Sequence, residues 1–243
     1  MSAPSRSVSV RLLPQMCESA DLEGAVAVVI DLLRASTTIT TALAAGATTV
    51  IPCREVDEAR DLAARFSDGE ILLGGERGGE LIEGFDLDNS PAAYTPERVA
   101  GKTIVFTTTT GPAVDTVSAA ERVLIGCFAN LNMTLDVLVR YGHPVRLICA
   151  GTNGQITTED VLCAGALATG LWRHFGCPDV ADDQTTLAMA LYESASKDAA
   201  TFLRTLRNSR GGRNLQRIGM DADIVIASQW DHQPVLPEFD AVE

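Results

Sequence analysis

Short, unbroken apolar runs alternate with amphipathic segments through the first two thirds of the chain. Residues 25–30 read Ala-Val-Ala-Val-Val-Ile, a continuous run that is typical of a strand covered on both faces. Residues 55–66 instead place apolar side chains at helical spacing, with charged side chains on the opposite face. Further strands are predicted at 48–51, 71–73, 103–107, 122–125 and 145–150, and further helices at 36–45, 112–120, 130–141 and 158–175.

The repeated strand–helix order with short connections predicts an α/β fold, with a mostly parallel sheet and helices on both of its faces. After about residue 178 the pattern becomes helical, with segments at 184–193, 197–207 and 214–219. The pattern at 224–227 leaves a strand and a helical turn both open. We expect a single domain over 1–243, in which this C-terminal helical extension closes over one end of the sheet.

The charge balance limits the classes of partner. The chain has 19 Lys and Arg against 32 Asp and Glu, a net charge of −13, which argues against nucleic acid or an anionic membrane surface. It contains no apolar run of about 18 residues and no apolar signal segment at its start, so we expect a cytoplasmic protein without membrane contact. The six cysteines have no metal-ligand spacing and are expected to be free thiols. An anionic substrate would need local cations or a metal ion.

Four polar clusters follow predicted strands, and in open α/β sheets ligands bind beyond the carboxyl ends of strands. The first cluster begins with Asp31, directly after the first long apolar run. A buried Asp is costly unless it is paired or bound to a metal, and Arg34 offers the pairing alternative. Ser36 and Thr37 stand at the start of the next helix, where hydroxyls and free N–H groups suit an anion.

The second cluster is predicted as a long loop with five glycines. Glu76 and Asp86 carry oxygens that suit Mg²⁺, and Arg77 would hold a phosphate or sulfonate through two parallel N–H bonds. Asn89 and Ser90 add hydrogen-bonding groups in a turn. Each of these residues alone would be typical of a solvated surface.

The third cluster is the threonine run 107–110 with the glycine that follows it. Such a turn at a helix start suits an anion, and a capped helix after a strand is the alternative. The fourth cluster contains Gly151-Thr152 in a tight turn, followed by Glu159 and Asp160, for which the alternative is that they only complement the helix dipole. No P-loop or GxSxG motif is present, and we interpret the loose DxDx[TV] match at 221–225 as chance.

These clusters resemble the 2-phosphosulfolactate phosphatase family. The matching stretches are 31–47 (DLLRASTTITTALAAGA), 73–94 (LGGERGGELIEGFDLDNSPAAY), 106–113 (FTTTTGPA) and 149–160 (CAGTNGQITTED), with a weaker match at 209–224. Together they cover nearly the whole chain in order. The chain departs from the family in having Thr110-Gly111-Pro112 where Asn-Gly-Thr is usual, and Ser36 within a run that is commonly Ala-Thr-Thr-Thr.

The resemblance implies a three-layer α/β/α fold and a Mg²⁺-dependent hydrolase. The family reaction converts (R)-2-phospho-3-sulfolactate and water to 3-sulfolactate and phosphate, a step that in methanogens belongs to coenzyme M biosynthesis. Such a substrate carries three anionic groups, so its site needs several cations and many N–H or O–H donors.

We combine the four clusters into one hypothesis. The predicted metal ligands are Asp31, Glu76 and Asp86. The predicted catalytic residues are Asp31, Arg34, Glu76, Arg77, Glu159 and Asp160. The predicted substrate-binding residues are Ser36, Thr37, Asn89, Ser90, Thr108, Thr109, Gly111, Gly151, Thr152, Arg210 and Arg213. The attacking group is left open between water and a side chain.

Two alternatives to this function stay open. A phosphatase of the same fold that acts on another small anionic organic phosphate would differ in its substrate panel. A non-catalytic protein that binds an anionic metabolite would be stabilised by the ligand but would show no turnover. In each case the expected partner is a small anionic molecule, and the sequence leaves the oligomeric state open, a homodimer included.

Overall fold

The described strands form two sheets, where the sequence predicted one. The structure is a computed structural model that describes residues 7–67, 69–107, 117, 119–175 and 182–239. Within these residues the first sheet contains, in spatial order, β1 (Val8–Arg11), β8 (Val145–Cys149), β2 (Val26–Ile30), β7 (Arg122–Ile125) and β9 (Glu238–Phe239). The second contains β3 (Thr49–Cys53), β6 (Thr103–Thr107), β4 (Ile71–Arg77) and β5 (Glu80–Leu81).

Both sheets are mostly parallel. Only the short strands β5 and β9 run antiparallel to their neighbours, β4 and β7 respectively, among the strands described. The carboxyl ends of β2 and β8 are level, because Ile30 pairs with Cys149, and those of β3 and β6 are level, because Cys53 pairs with Thr107. Each sheet therefore has one edge at which the loops after several strands meet.

Helices cover the sheets and form the C-terminal extension. The α-helices are α1 (Ser19–Leu22), α2 (Ala35–Ala44), α3 (Val56–Ala63), α4 (Pro96–Val99), α5 (Leu131–Tyr141), α6 (Thr158–Phe175), α7 (Asp183–Ala195), α8 (Ala199–Asn208), α9 (Arg210–Arg217) and α10 (Asp221–Ala227). Short 3₁₀ turns lie at Pro14–Met16, Pro91–Ala93 and Phe128–Asn130. The mostly parallel α/β architecture, its three-layer α/β/α class and the helical C-terminal part are confirmed.

Side-chain alternation in β6 shows how the layers are held. Ile104 and Phe106 point to one face, where they pack with Ile39 of α2, whereas Val105 points to the other face and packs with Ala59 of α3. Successive strand residues face opposite sides of a sheet, so an unbroken apolar run lets helices pack on both sides. The residues of β2 are likewise all buried, so both faces of this strand are covered. The main core forms between β2 and α6.

Several predicted boundaries need correction. The stretch predicted as a loop after residue 73 continues as strand through Arg77 and returns in a hairpin with β5. Gly78 and Gly79 form this turn with φ of 67° and 93°, backbone angles that glycine adopts without steric cost. The segment 224–227 is helical, as part of α10. Most of the predicted helix at 112–120 lies outside the described residues.

The described helices include none that is long and apolar enough to cross a membrane. The five cysteines in the described ranges are free, and four of them are buried, as expected from the sequence. Burial raises the pKa of the Cys53 thiol to about 11 and raises the pKa of the Cys149 thiol well above its ordinary value. These thiols therefore stay protonated and pack as small apolar side chains.

Candidate active site

A cavity of about 450 Å³ lies where the carboxyl ends of both sheets meet the C-terminal helices. Many residues that were predicted from the sequence line it: Asp31, Arg34, Glu76, Asn89, Gly151, Thr152, Arg210 and Arg213. Asp31 follows β2 of the first sheet, Glu76 belongs to β4 of the second, and helix α9 supplies the arginines. The structure thus brings together segments that are far apart along the chain.

The loop after β2 is fixed by hydroxyls at the start of α2. The backbone N–H of Asp31 donates to Ser36 Oγ at 2.8 Å, and Thr37 Oγ1 donates to the carbonyl of Leu32 at 2.8 Å. Neither Ser36 nor Thr37 lines the cavity. Their hydroxyls hold the backbone that presents Asp31, which is a different contact from the predicted contact with substrate. The Leu33–Arg34 peptide bond in this loop is cis.

Arg34 is a buried cation in the cavity wall. Its Nη1 forms an ion pair with Asp223 Oδ2 at 2.9 Å, and its Nη2 donates to the carbonyl of Gly79 at 3.1 Å. Asp223 is also buried, and its Oδ1 accepts a hydrogen bond from Ser90 Oγ at 2.7 Å. Ser90 therefore supports Asp223 and does not line the cavity itself. The orientation of Arg34 is set by α10 on one side and by the β4–β5 hairpin on the other.

Glu76 and Asn89 add oxygen atoms to the same cavity. Glu76 is buried, and its Oε2 accepts a hydrogen bond from the N–H of Gly79 at 2.6 Å. Asn89 is buried as well, and its Oδ1 has no hydrogen-bond partner within the described part of the chain. A buried acceptor without a partner is unusual in a folded protein, so this oxygen is available to a bound donor or cation.

Arg77 lies away from the cavity because it is the strand neighbour of Glu76. Successive side chains of a strand point to opposite faces, and Arg77 Nη2 instead donates to the carbonyl of Arg54 at 2.8 Å and to Thr107 Oγ1 at 3.2 Å. These contacts place its guanidinium at the ends of β3 and β6. Its predicted catalytic role has no support from the cavity.

Asp86 lies apart from the cavity that the other two predicted metal ligands, Asp31 and Glu76, line. Its exposed carboxylate accepts a hydrogen bond from the N–H of Leu73 at 2.8 Å, three residues before Glu76 on β4. Glu76 Oε2 is bound instead by the N–H of Gly79 at the cavity, which Asp86 does not line. Across the residues that the structure describes, no group of three or more His, Cys, Asp or Glu side chains is placed to hold a metal.

Asp160 lies behind the cavity wall at the start of α6. Its carboxylate accepts hydrogen bonds from the N–H groups of Leu32 and Gly151, at 2.8 and 3.0 Å, and from Thr157 Oγ1 at 2.7 Å. It thereby joins the loops that follow β2 and β8. Burial raises its pKa well above the ordinary value, and the charges of Asp31 and Glu159 raise it further.

Glu159 supports helix α9 from behind the cavity. Its Oε1 accepts a hydrogen bond from the N–H of Gly211 at 2.8 Å, and its buried Oε2 has no hydrogen-bond partner among the described residues. Burial raises the pKa of this carboxyl group, while the charge of Arg213 acts in the opposite direction. Both first-turn acids are thus buried and hydrogen-bonded to neighbouring loops, contacts that go beyond complementing the helix dipole.

Several residues of this site were not predicted from the sequence, Arg217 and Asp223 among them, and three predicted residues lie where the structure gives no description. Arg217 lines the cavity together with Arg210 and Arg213, and its helical spacing of seven from Arg210 was the available signal. Asp223 lies within the weaker family match at 209–224, but nothing local indicated its ion pair, because its partner Arg34 is 189 residues away. The predicted residues Thr108, Thr109 and Gly111 lie outside the described residues.

Comparison with known proteins supports the family resemblance that the sequence motifs indicated. The model of a family described as 2-phosphosulpholactate phosphatase matches residues 11–241. A protein of Caldanaerobacter subterraneus subsp. tengcongensis, named probable 2-phosphosulfolactate phosphatase, is 47% identical over 220 residues, which cover 90% of this chain and 89% of the relative. A protein of the same name from Symbiobacterium thermophilum is 40% identical over 90% of this chain and 93% of its own length. The chain belongs to the 2-phosphosulfolactate phosphatase family.

Proposed function

We propose that this protein hydrolyses the phosphate ester of (R)-2-phospho-3-sulfolactate to 3-sulfolactate and phosphate. The observation that carries the proposal is one cavity in which Arg34 and the arginines of α9 meet two carboxylates, Asp31 and Glu76. The substrate has a phosphate, a sulfonate and a carboxylate. In a chain of net charge −13, arginines concentrated in one cavity give the local positive potential that such an anion needs.

The donor set of the cavity fits a magnesium ion. Mg²⁺ prefers hard oxygen ligands and is usually held by one or two carboxylates, together with waters and substrate phosphate oxygens. Asp31 and Glu76 supply the two carboxylates, and Asn89 Oδ1 supplies a buried oxygen without a partner among the described residues. When bound, Mg²⁺ would polarise the phosphoryl group and make a water more acidic.

The remaining roles follow from the side chains that line the cavity. Arg34 is held by Asp223 and Gly79, so its guanidinium is oriented before substrate arrives and would stabilise charge on the phosphoryl oxygens. Among the predicted catalytic carboxylates, Asp31 lines the cavity, whereas Glu159 and Asp160 do not. We therefore propose that a carboxylate oxygen of Asp31 accepts the proton of the attacking water.

Phosphate release from synthetic phosphosulfolactate tests this function. Asp31→Asn and Glu76→Gln should each lower kcat about 100-fold or more, because each removes a charge that acts on the reacting group. Glu80→Gln is the matched control, since Glu80 is exposed on the adjoining strand β5. Wild-type turnover by Glu76→Gln in the presence of Mg²⁺ would contradict the assignment.

A substrate panel separates the proposal from the two alternatives. Phosphosulfolactate should be hydrolysed with a higher kcat/KM than phospholactate or phosphoglycolate, which lack the sulfonate. A higher value for one of these esters would favour a phosphatase with another substrate. Thermal stabilisation by the anions without phosphate release would favour a binding protein.

A further inference from the structure

Helix α9 presents three cations to the cavity on one helical face. Arg210, Arg213 and Arg217 are spaced by three and four residues, which places them on the same side of a helix, and all three line the cavity. We call them the α9 arginine face. Their like charges repel one another, so the arrangement needs a physical explanation.

No carboxylate among the described residues forms an ion pair with this face, although the charge of Arg213 acts on Glu159 and partly offsets the rise in pKa that burial causes there. In the described part of the chain no carboxylate lies within 4 Å of these guanidinium groups, and their hydrogen bonds run to neutral oxygens. Arg210 donates to the side chain of Gln155, and Arg217 donates to Asn214 Oδ1 at 2.8 Å. The nearby Arg207 and Arg34, in contrast, each have an aspartate partner.

The position of α9 is fixed on both sides of the cavity. At its start the N–H of Gly211 is bound by Glu159, and a β-carbon added at Gly211 would lie 3.1 Å from Leu33 Cβ. Farther along, Asn214 approaches the hairpin, since a β-carbon added at Gly79 would lie 3.4 Å from Asn214 Nδ2. The helix therefore bridges the loop after β2 and the β4–β5 hairpin, with its arginines above the cavity.

We propose that the α9 arginine face binds the anionic groups of the substrate other than the phosphoryl group, and so selects phosphate esters with a second strong anion. This inference rests on the proposed phosphatase function. A guanidinium group can donate two parallel N–H bonds to two oxygens of one carboxylate or sulfonate group. The phosphoryl group then contacts Arg34, Asp31 and Glu76. The other anionic groups of the substrate contact the α9 arginine face.

The test compares two substrates in wild-type protein and in Arg217→Gln and Arg213→Gln variants. One substrate is phosphosulfolactate, and the other is phenyl phosphate, whose tail carries no charge. The ratio of kcat/KM for phosphosulfolactate to that for phenyl phosphate should fall about 10-fold or more in each variant. Arg204→Gln is the control, because Arg204 is exposed on α8 and donates to Thr201, and its ratio should equal that of wild type.

An unchanged ratio in Arg217→Gln and Arg213→Gln would overturn the proposal, and this includes the case in which kcat/KM falls equally for both substrates. A binding measurement keeps this result separate from a failure of the proposed function. If wild-type protein does not hydrolyse phosphosulfolactate, titration calorimetry with 3-sulfolactate still tests the face, since this ligand has no phosphate. Binding that weakens about 10-fold in Arg217→Gln would support the face, and absence of binding to wild type would refute it.

Discussion

A buried ion pair between distant parts of the chain sets the orientation of one cation in the cavity. Arg34 and Asp223 are each about 3% exposed, and Asp223 also accepts a hydrogen bond from Ser90. Removal of one partner from such a pair leaves a buried charge without compensation, which is strongly destabilising. Asp223 does not line the cavity, so it acts on substrate only through Arg34.

Asp223→Asn should lower kcat/KM about 10- to 100-fold and also lower the melting temperature, because Arg34 loses its counter-charge. Asp221→Asn is the matched control on the same helix, since Asp221 pairs with the partly exposed Arg207 at 2.6 Å and such pairs contribute little. A double-mutant cycle with Arg34→Lys should show that the two effects are not additive. Additive losses would show that Asp223 does not act through Arg34.

Glu159→Gln should flatten the dependence of stability on pH. Burial raises the pKa of Glu159 above its ordinary value of 4.5, so the folded protein binds this proton more tightly than the unfolded chain does. The resulting stabilisation is present at low pH and is lost as the pH rises through the raised pKa. Between pH 5 and 8 the melting temperature of the variant should therefore fall less than that of wild type.

The control for this measurement is Glu193→Gln, because Glu193 is exposed on α7. Its pH profile should follow that of wild type. Equal slopes for Glu159→Gln and wild type would show that the burial of Glu159 does not influence stability in this range.

At the scale of elements, the sequence predicted where strands and helices lie but not which strands pair with one another. The long helix was predicted at 158–175, where α6 lies, and residues 157–160 at its start supply cap hydroxyls and first-turn acids. The division into two sheets had no sequence signal, since β3 and β6 are short apolar runs like β2 and β8. Which of them pair depends on packing between residues that are distant in sequence.

The candidate site was predictable where residues follow strands and unpredictable where a strand was taken for a loop. Asp31 and Gly151 reach the cavity because they follow neighbouring parallel strands whose carboxyl ends coincide. The structure places Arg77 away from the cavity because β4 continues past residue 73, and strand alternation then separates Arg77 from Glu76. If residues 73–77 are interpreted as a strand, whose side chains alternate between faces, Glu76 and Arg77 are expected on opposite sides of the sheet.

Two glycines of α6 offer a matched test of helix packing. A β-carbon at Gly165 would collide with the backbone carbonyl of Ala188 in α7, whereas at Gly170 it would meet the end of the Leu135 side chain at 2.7 Å. Gly165→Ala should lower the free energy of unfolding by about 1–3 kcal/mol. Gly170→Ala should stay within about 1 kcal/mol of wild type, because Leu135 can move and alanine favours the helix. Equal stabilities in urea unfolding would contradict the packing argument.

At the scale of the whole molecule, the cavity joins the two sheets. Asp31 follows β2 of the first sheet, and Glu76 lies on β4 of the second. A ligand that contacts both residues therefore links segments that do not share a sheet. Four arginines and two carboxylates line the cavity, an excess of cationic side chains that contrasts with the net charge of −13 of the chain.

Metal binding should then stabilise the protein only when both sheets contribute a carboxylate. A ligand that binds only the folded state stabilises it by about 2.7 kcal/mol at 100 times its Kd, so saturating Mg²⁺ should raise the melting temperature of wild type by several degrees. Asp31→Asn and Glu76→Gln should each abolish this shift, while Asp86→Asn should keep it, since Asp86 lies outside the cavity. EDTA should remove both the shift and the activity, and added Mg²⁺ should restore them. A shift that survives in Asp31→Asn or Glu76→Gln, or is lost in Asp86→Asn, would show that the ion binds elsewhere.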